Sequence, residues 1–151
     1  MAVSLKETLK TILVVDDDEM VLKVVVAILE YANFRVLSAD SGANAMKLAE
    51  KTEGPIHLLL SEVELPDMSG PDLGKSLKKN RADIHVMLMS GQDNGNLLVL
   101  NYGWAYIQKH VVPAKLVQMV TDVLCAPDRS QLGDEFDSAK DTGRKSPVDG
   151  R

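Results

Sequence analysis

One cysteine, Cys125, stands in 151 residues, so no internal disulfide can form and a reducing compartment is expected. No apolar stretch approaches the roughly 18 residues needed to cross a bilayer. The opening MAVSLKETLK lacks the apolar run of a signal peptide. Net positive charge is missing too. At −5 the chain has no generic basic face for nucleic acid or for an anionic membrane. A GxxxxGKS or GxxxxGKT loop for a nucleotide phosphate is absent, and His57, His85 and His110 have no metal-motif spacing. These absences point to a cytoplasmic protein with neither nucleic acid nor membrane as partner.

What is present is an ordinary globular balance, 45% hydrophobic and 26% charged, over a length suited to one domain. Short β-branched runs alternate with segments of helical period. Thr11 to Val15 reads as a buried strand. Val21, Val24, Val25, Ile28 and Leu29 then recur at three- and four-residue spacing behind Asp18 and Glu19, which suit a helix N-terminus. Asn33 is the stop before a second strand, Phe34 to Leu37. Asp40 or Ser41 caps a helix from about Asn44 to Lys51, which Gly54-Pro55 breaks. Ile56 to Leu60 is a central strand; Pro66, Ser69, Gly70 and Pro71 punctuate a loop, and a helix follows to about Lys79. Strands at Ile84 to Met89 and Ala105 to Ile107 flank a short helix at Asn96 to Asn101. Pro113 opens a last helix with Leu116, Val117, Val120, Val123 and Leu124 on its inner stripe.

Five β-then-α units imply a parallel sheet with right-handed crossovers and helices on both faces. The division expected is an extension over 1–9, a domain over 10–126 and a disordered tail over 127–151. That tail has only Leu132, Phe136, Ala139 and Val148 as apolar residues, too few to offset ordering entropy; a docking peptide or a linker is the alternative.

In a parallel sheet of this kind ligands meet the carboxyl ends of the strands. There the chain carries Asp16, Asp17, Asp18 and Glu19 after the first strand and Ser61, Glu62, Val63 and Glu64 after the third. Ser90 and Gly91 follow the fourth, and Lys109 the fifth. Grouped carboxylates repel unless a cation neutralises them, and hard oxygen donors with room for water suit Mg²⁺. A lysine and a hydroxyl opposite would hold the oxygens of a phosphoryl group. Taken singly, each acid is equally a helix cap and the lysine a solvated side chain; the set of four strand ends is what points to a site.

The segments ILVVDDDE, LLLSEVELPDMSG, VMLMSG and YIQK, in this order, resemble the receiver domains of bacterial response regulators over about residues 10 to 125. The resemblance implies a flavodoxin-like α/β fold, with five helices and a five-stranded parallel sheet of order 2-1-3-4-5. It implies Mg²⁺ as cofactor, held by Asp16, Asp17, the residue at 62 and the backbone carbonyl of Glu64. The phosphoacceptor falls on Glu62, the switch hydroxyl on Ser90, the switch aromatic on Tyr106 and the family's lysine on Lys109. The implied partners are a histidine kinase or phosphotransfer protein, and a downstream protein on the face of the fourth helix, fifth strand and last helix. On that face Trp104 is either an interface anchor or core. The implied role is signalling, not enzymatic turnover.

Three residues depart from the family's pattern. Glutamate at 62 carries its carboxylate about 1.5 Å further than aspartate, and a misplacement of about 1 Å can cost about 100-fold in rate. Phosphorylation is therefore doubtful. Glu62 either imitates a phosphorylated state through Ser90 and Lys109 or pairs with Lys109 in an inert scaffold. Ser61 points to the other face of the sheet by alternation and is no substitute. His110 stands where the family has proline, and a trans bond is expected there because cis costs a non-proline residue about 3 kcal/mol; His110 either tunes the site as it titrates or is surface. His57 lies about 16 Å from Glu62 along its strand and reads as structural. The competing readings are a phosphorylation-independent interaction module and an enzyme of another class. Asp16 and Asp18 have the spacing of an aspartyl-phosphate phosphatase, while the acids after strand one would repel a flavin phosphate.

Overall fold

The computed structural model describes residues 9–91 and 103–125. Five strands, β1 (Thr11–Val15), β2 (Arg35–Ala39), β3 (Leu58–Glu62), β4 (His85–Ser90) and β5 (Ala105–Gln108), form one sheet of order β2-β1-β3-β4-β5. Every pairing in it is parallel. Four helices are described, α1 (Glu19–Tyr31), α2 (Gly42–Lys51), α3 (Gly70–Asn80) and α4 (Pro113–Cys125). The helix expected at Asn96 to Asn101 falls outside the described residues. Among those described, no helix is long and apolar enough to cross a membrane.

The strands alternate their side chains between two cores. Leu13, Val15, Leu59, Val86 and Leu88 pack against Ala45 and Ala49 of α2 and Leu73 and Leu77 of α3. Ile12, Val14, Leu58, Leu60, Met87 and Met89 pack against Val25 and Leu29 of α1 and Leu116 and Val120 of α4. A sheet covered on both faces needs near-continuous apolar strands, and β1 and β3 are buried at every position.

The helices start where side chains satisfy orphan N–H groups. Asp18 accepts from Met20 N and Val21 N at 3.0 and 3.3 Å. Ser41 accepts from Asn44 N at 3.1 Å, and Ser69 from Asp72 N at 3.0 Å with Pro71 in the first turn. Thus α3 begins at Gly70, inside what composition marks as loop. Asn33 takes φ of 72° just after α1, a left-handed conformation asparagine tolerates.

β3 lies two residues further along than the apolar run Ile56 to Leu60 suggests. His57 donates its N–H to Thr11 O ahead of the strand, while Ser61 pairs in register with Val15 and Glu62 with Met89. A polar pair therefore ends a buried strand, which carries the Glu62 side chain into the interior.

Candidate functional site

Three strand ends converge on one ammonium group. Asp16 follows β1 directly, fully buried, and its N–H donates to Ala39 O at 3.2 Å. Glu62 closes β3, on the side of the sheet taken by Leu58 and Leu60. Lys109 follows β5, and its N–H donates to Ser90 O at 2.9 Å, anchoring the lysine to the end of β4. From there Lys109 Nζ lies 2.8 Å from Asp16 Oδ2 and in contact with Glu62 Oε1.

The second oxygen of each carboxylate is also engaged. Asp16 Oδ1 accepts from Asp18 N at 2.8 Å, and Glu62 Oε2 from Glu64 N at 3.2 Å. Asp16 Oδ2 meets the Lys109 ammonium and has no other described partner. Burial pushes the Asp16 carboxyl pKa up, more than Lys109 and the Asp18 N–H pull it down. Burial works against the Lys109 cation as well, but hydrogen bonds and attraction from Asp16 and Glu62 outweigh it and raise its pKa. One cation between two carboxylates is the dominant electrostatic feature of this end of the sheet.

The lysine's peptide bond to His110 is cis, where trans was expected. That expectation weighed only the preference of an isolated peptide. The backbone N–H and the ammonium of Lys109 are both fixed by distant parts of the chain, which local preference does not register. His110 itself is exposed.

The remaining expected residues divide. Ser90 is buried at the end of β4, and its carbonyl also accepts from Tyr106 Oη, at 3.4 Å. Tyr106 is half-buried against the α2–α3 core. Trp104 packs against the same core, close over the backbone of α3 at Gly74. Ser61, buried, donates from Oγ to Glu62 O at 2.8 Å. Asp17 does not join Asp16. It is exposed and lines an open cleft of about 780 Å³ with Ser38, Asp40, Asn44, Lys47 and Lys51. Glu64 meets Glu62 through its N–H, whereas its carbonyl was expected to serve the site.

Of the residues expected to hold Mg²⁺, Asp16 and Glu62 meet on Lys109, and Asp17 is exposed. Among the described residues no three carboxylate, imidazole or thiol groups are placed to hold a metal ion. As they stand, Asp16 and Glu62 do not fit a divalent cation, because Lys109 already fills the space between them. The spacing argument counted acids at strand ends and not the reach of the lysine.

Two further residues shape the site without a sequence signal as strong as theirs. A Cβ on Gly70 would run into the Glu62 carbonyl oxygen, and Gly70 N donates to Val63 O at 2.7 Å. Only glycine allows α3 to begin this close to β3. Asp67 accepts from Gly42 N at 2.9 Å and Ala43 N at 2.8 Å, tying the loop after β3 to the start of α2. Those backbone bonds hold the Asp67 carboxyl below its ordinary pKa. Gly70 was legible as loop punctuation; Asp67, 25 residues from Gly42, had no local cue.

Known proteins are similar to this chain in sequence and in fold. The sequence profile of the response regulator receiver domain matches residues 12–121. A receiver domain of Methanospirillum hungatei, described as CheY-like, superposes with a TM-score of 0.69 at 31% identity, over 78% of this chain and 94% of that one. Sensor kinase CckA of Brucella abortus is 33% identical over 81 residues, 54% of this chain but 9% of that protein. Response regulator SaeR of Staphylococcus aureus is 24% identical over 116 residues, 75% of this chain and 50% of that protein. The chain thus spans half or less of the curated relatives named here. With the profile match, the sheet order 2-1-3-4-5 and the fold superposition in agreement, the chain belongs to the response regulator receiver domain family.

Proposed function

We propose that this chain is a two-component signalling module that is read through protein contacts and does not accept phosphate. The reading rests on the Asp16–Lys109–Glu62 ion triad. In it Glu62 occupies the phosphoacceptor position of a receiver. Its longer arm reaches the ammonium that would otherwise meet a phosphoryl oxygen, and Asp16 is drawn to the same ammonium. A phosphodonor would meet a carboxylate that is buried, neutralised and held from both oxygens. Receiver domains generally bind Mg²⁺ at this place; in this chain Lys109 supplies the neutralising charge instead. The module has no turnover of its own and works in the cytoplasm, where a histidine kinase or phosphotransfer protein and a downstream protein contact its surface, the latter across β5 and α4.

Incubation with acetyl phosphate and Mg²⁺, followed by intact-mass measurement, tests this in the parent and in Glu62→Asp. The parent stays unlabelled. A phosphoryl adduct on the parent that is lost in Glu62→Gln would sink the proposal. Labelling of Glu62→Asp alone would assign the block to the side-chain length at position 62; labelling of neither would assign it to Lys109 and its loop.

A further inference from the structure

Away from the ion triad, α1 carries apolar side chains outward as well as inward. Val25 and Leu29 are buried against the sheet, while Met20 is 70% exposed, Val24 49% and Tyr31 92%, with Ala27 exposed between them. Residues 20, 24, 27 and 31 follow one another at steps of four, three and four, which keeps them on one stripe of the helix. An unbroken stripe of this kind marks a contact surface and not scattered apolar surface. At its Tyr31 end, Ala27, Ile28 and Tyr31 face Pro113 and Val117 of α4 across an open, mainly apolar groove of about 690 Å³.

The stripe has a symmetry that selects its occupant. Steps of four, three and four read the same from either end, so a two-fold axis between positions 24 and 27 lays the stripe on an antiparallel copy of itself. Met20 then meets Tyr31 of the second copy, and Val24 meets its Ala27, whose small side chain lets the two helices approach. A methionine thioether packs well on an aromatic ring, and its unbranched arm suits the groove beside Tyr31. Charge agrees with the same pairing. Lys23 and Glu30, both exposed, stand seven residues apart and therefore on one edge of the helix. The two-fold turns that edge towards its own copy. It sets Glu30 opposite position 21 of the second helix, which leaves Lys23 of that helix two residues, about 3 Å, along the axis. The pair forms twice, once in each direction. Within one chain Lys23 meets Glu19 at 3.9 Å, with both side chains largely exposed, a contact that holds it weakly.

We propose that two copies of this chain associate through α1, antiparallel about a two-fold axis, with Met20 of each against Tyr31 of the other and Lys23 of each against Glu30 of the other. One helix face with its bordering groove is a small interface, of the weak and transient class, so the association depends on concentration. It does not depend on whether Glu62 accepts phosphate.

Sedimentation equilibrium of the full chain from ~10 μM to ~1 mM tests this, in the parent, Tyr31→Ser, Lys23→Glu and the exchange Lys23→Glu/Glu30→Lys. All three positions are exposed, so the fold is retained, as far-ultraviolet circular dichroism checks. The expected result is a parent that passes from the mass of one chain to that of two. Tyr31→Ser weakens the association by about 10-fold or more. Lys23→Glu weakens it by about 5- to 10-fold, because like charges then meet at both ends, and the exchange restores it. A parent of one-chain mass throughout would overturn the proposal and leave the face to a different protein. So would a dimer that ignores either single variant, or one that weakens in Lys23→Glu and does not recover in the exchange.

Discussion

The two ends of the β-sheet bury polar groups by opposite means. At the carboxyl end, two carboxylates are held by one ammonium, so the arrangement depends on charge. At the amino end, His57 Nδ1 accepts from Thr11 N at 2.9 Å, which requires a neutral ring. Burial and the nearby Lys10 charge lower the His57 pKa, and His85 adds to the effect. A half-buried, hydrogen-bonded neutral group such as His57 asks little of its surroundings. A buried ion pair is costly when either partner is lost.

The comparison is broken most severely at the carboxyl end. Lys109→Met leaves Asp16 and Glu62 facing each other in the interior, and a loss of about 3–5 kcal/mol is expected, measured by denaturant unfolding. That is a large part of a typical domain's stability. Next comes Gly70→Ala, whose methyl group meets the Glu62 carbonyl; overpacking of this kind costs about 1–3 kcal/mol, read from the shift in unfolding midpoint at unchanged slope.

The amino end is broken by acid instead. The folded His57 pKa lies below its value of 6.5 in the unfolded chain, so the unfolded state binds the proton first. The His57 contribution is complete above pH 6.5 and is lost as pH falls below it, towards the folded pKa. Thermal unfolding from pH 8 to 5 should show this fall, and His57→Gln should flatten it. Ser69→Ala, which removes a cap beside the site, is expected to cost about 1 kcal/mol, seen as a modest drop in melting temperature.

The two ends also differ in how much of them sequence reveals. The strands, α1 and α4 were legible because apolar period reports burial directly, and of the strand-end residues Asp16, Glu62 and Lys109 do come together. His57 read correctly as structural from its distance to Glu62. What escaped notice depends on contacts between distant segments. Asp17 looks equivalent to Asp16 in sequence, yet Asp16 is fully buried and Asp17 is exposed. The extent of β3 was misjudged because Ser61 and Glu62 are polar and only register pairing makes them strand. The Asp67 cap on α2 is likewise decided by partners far along the chain.

A double-mutant cycle in unfolding free energy, built from Lys109→Met, Glu62→Gln and the two combined, measures directly whether the ammonium is committed to Glu62. The ion triad predicts a coupling on the order of 1–3 kcal/mol, with Glu62→Gln recovering part of what Lys109→Met loses. Additive effects, with coupling near zero, would mean that Lys109 is free of Glu62 and available to a phosphoryl group, contrary to the account given for this site.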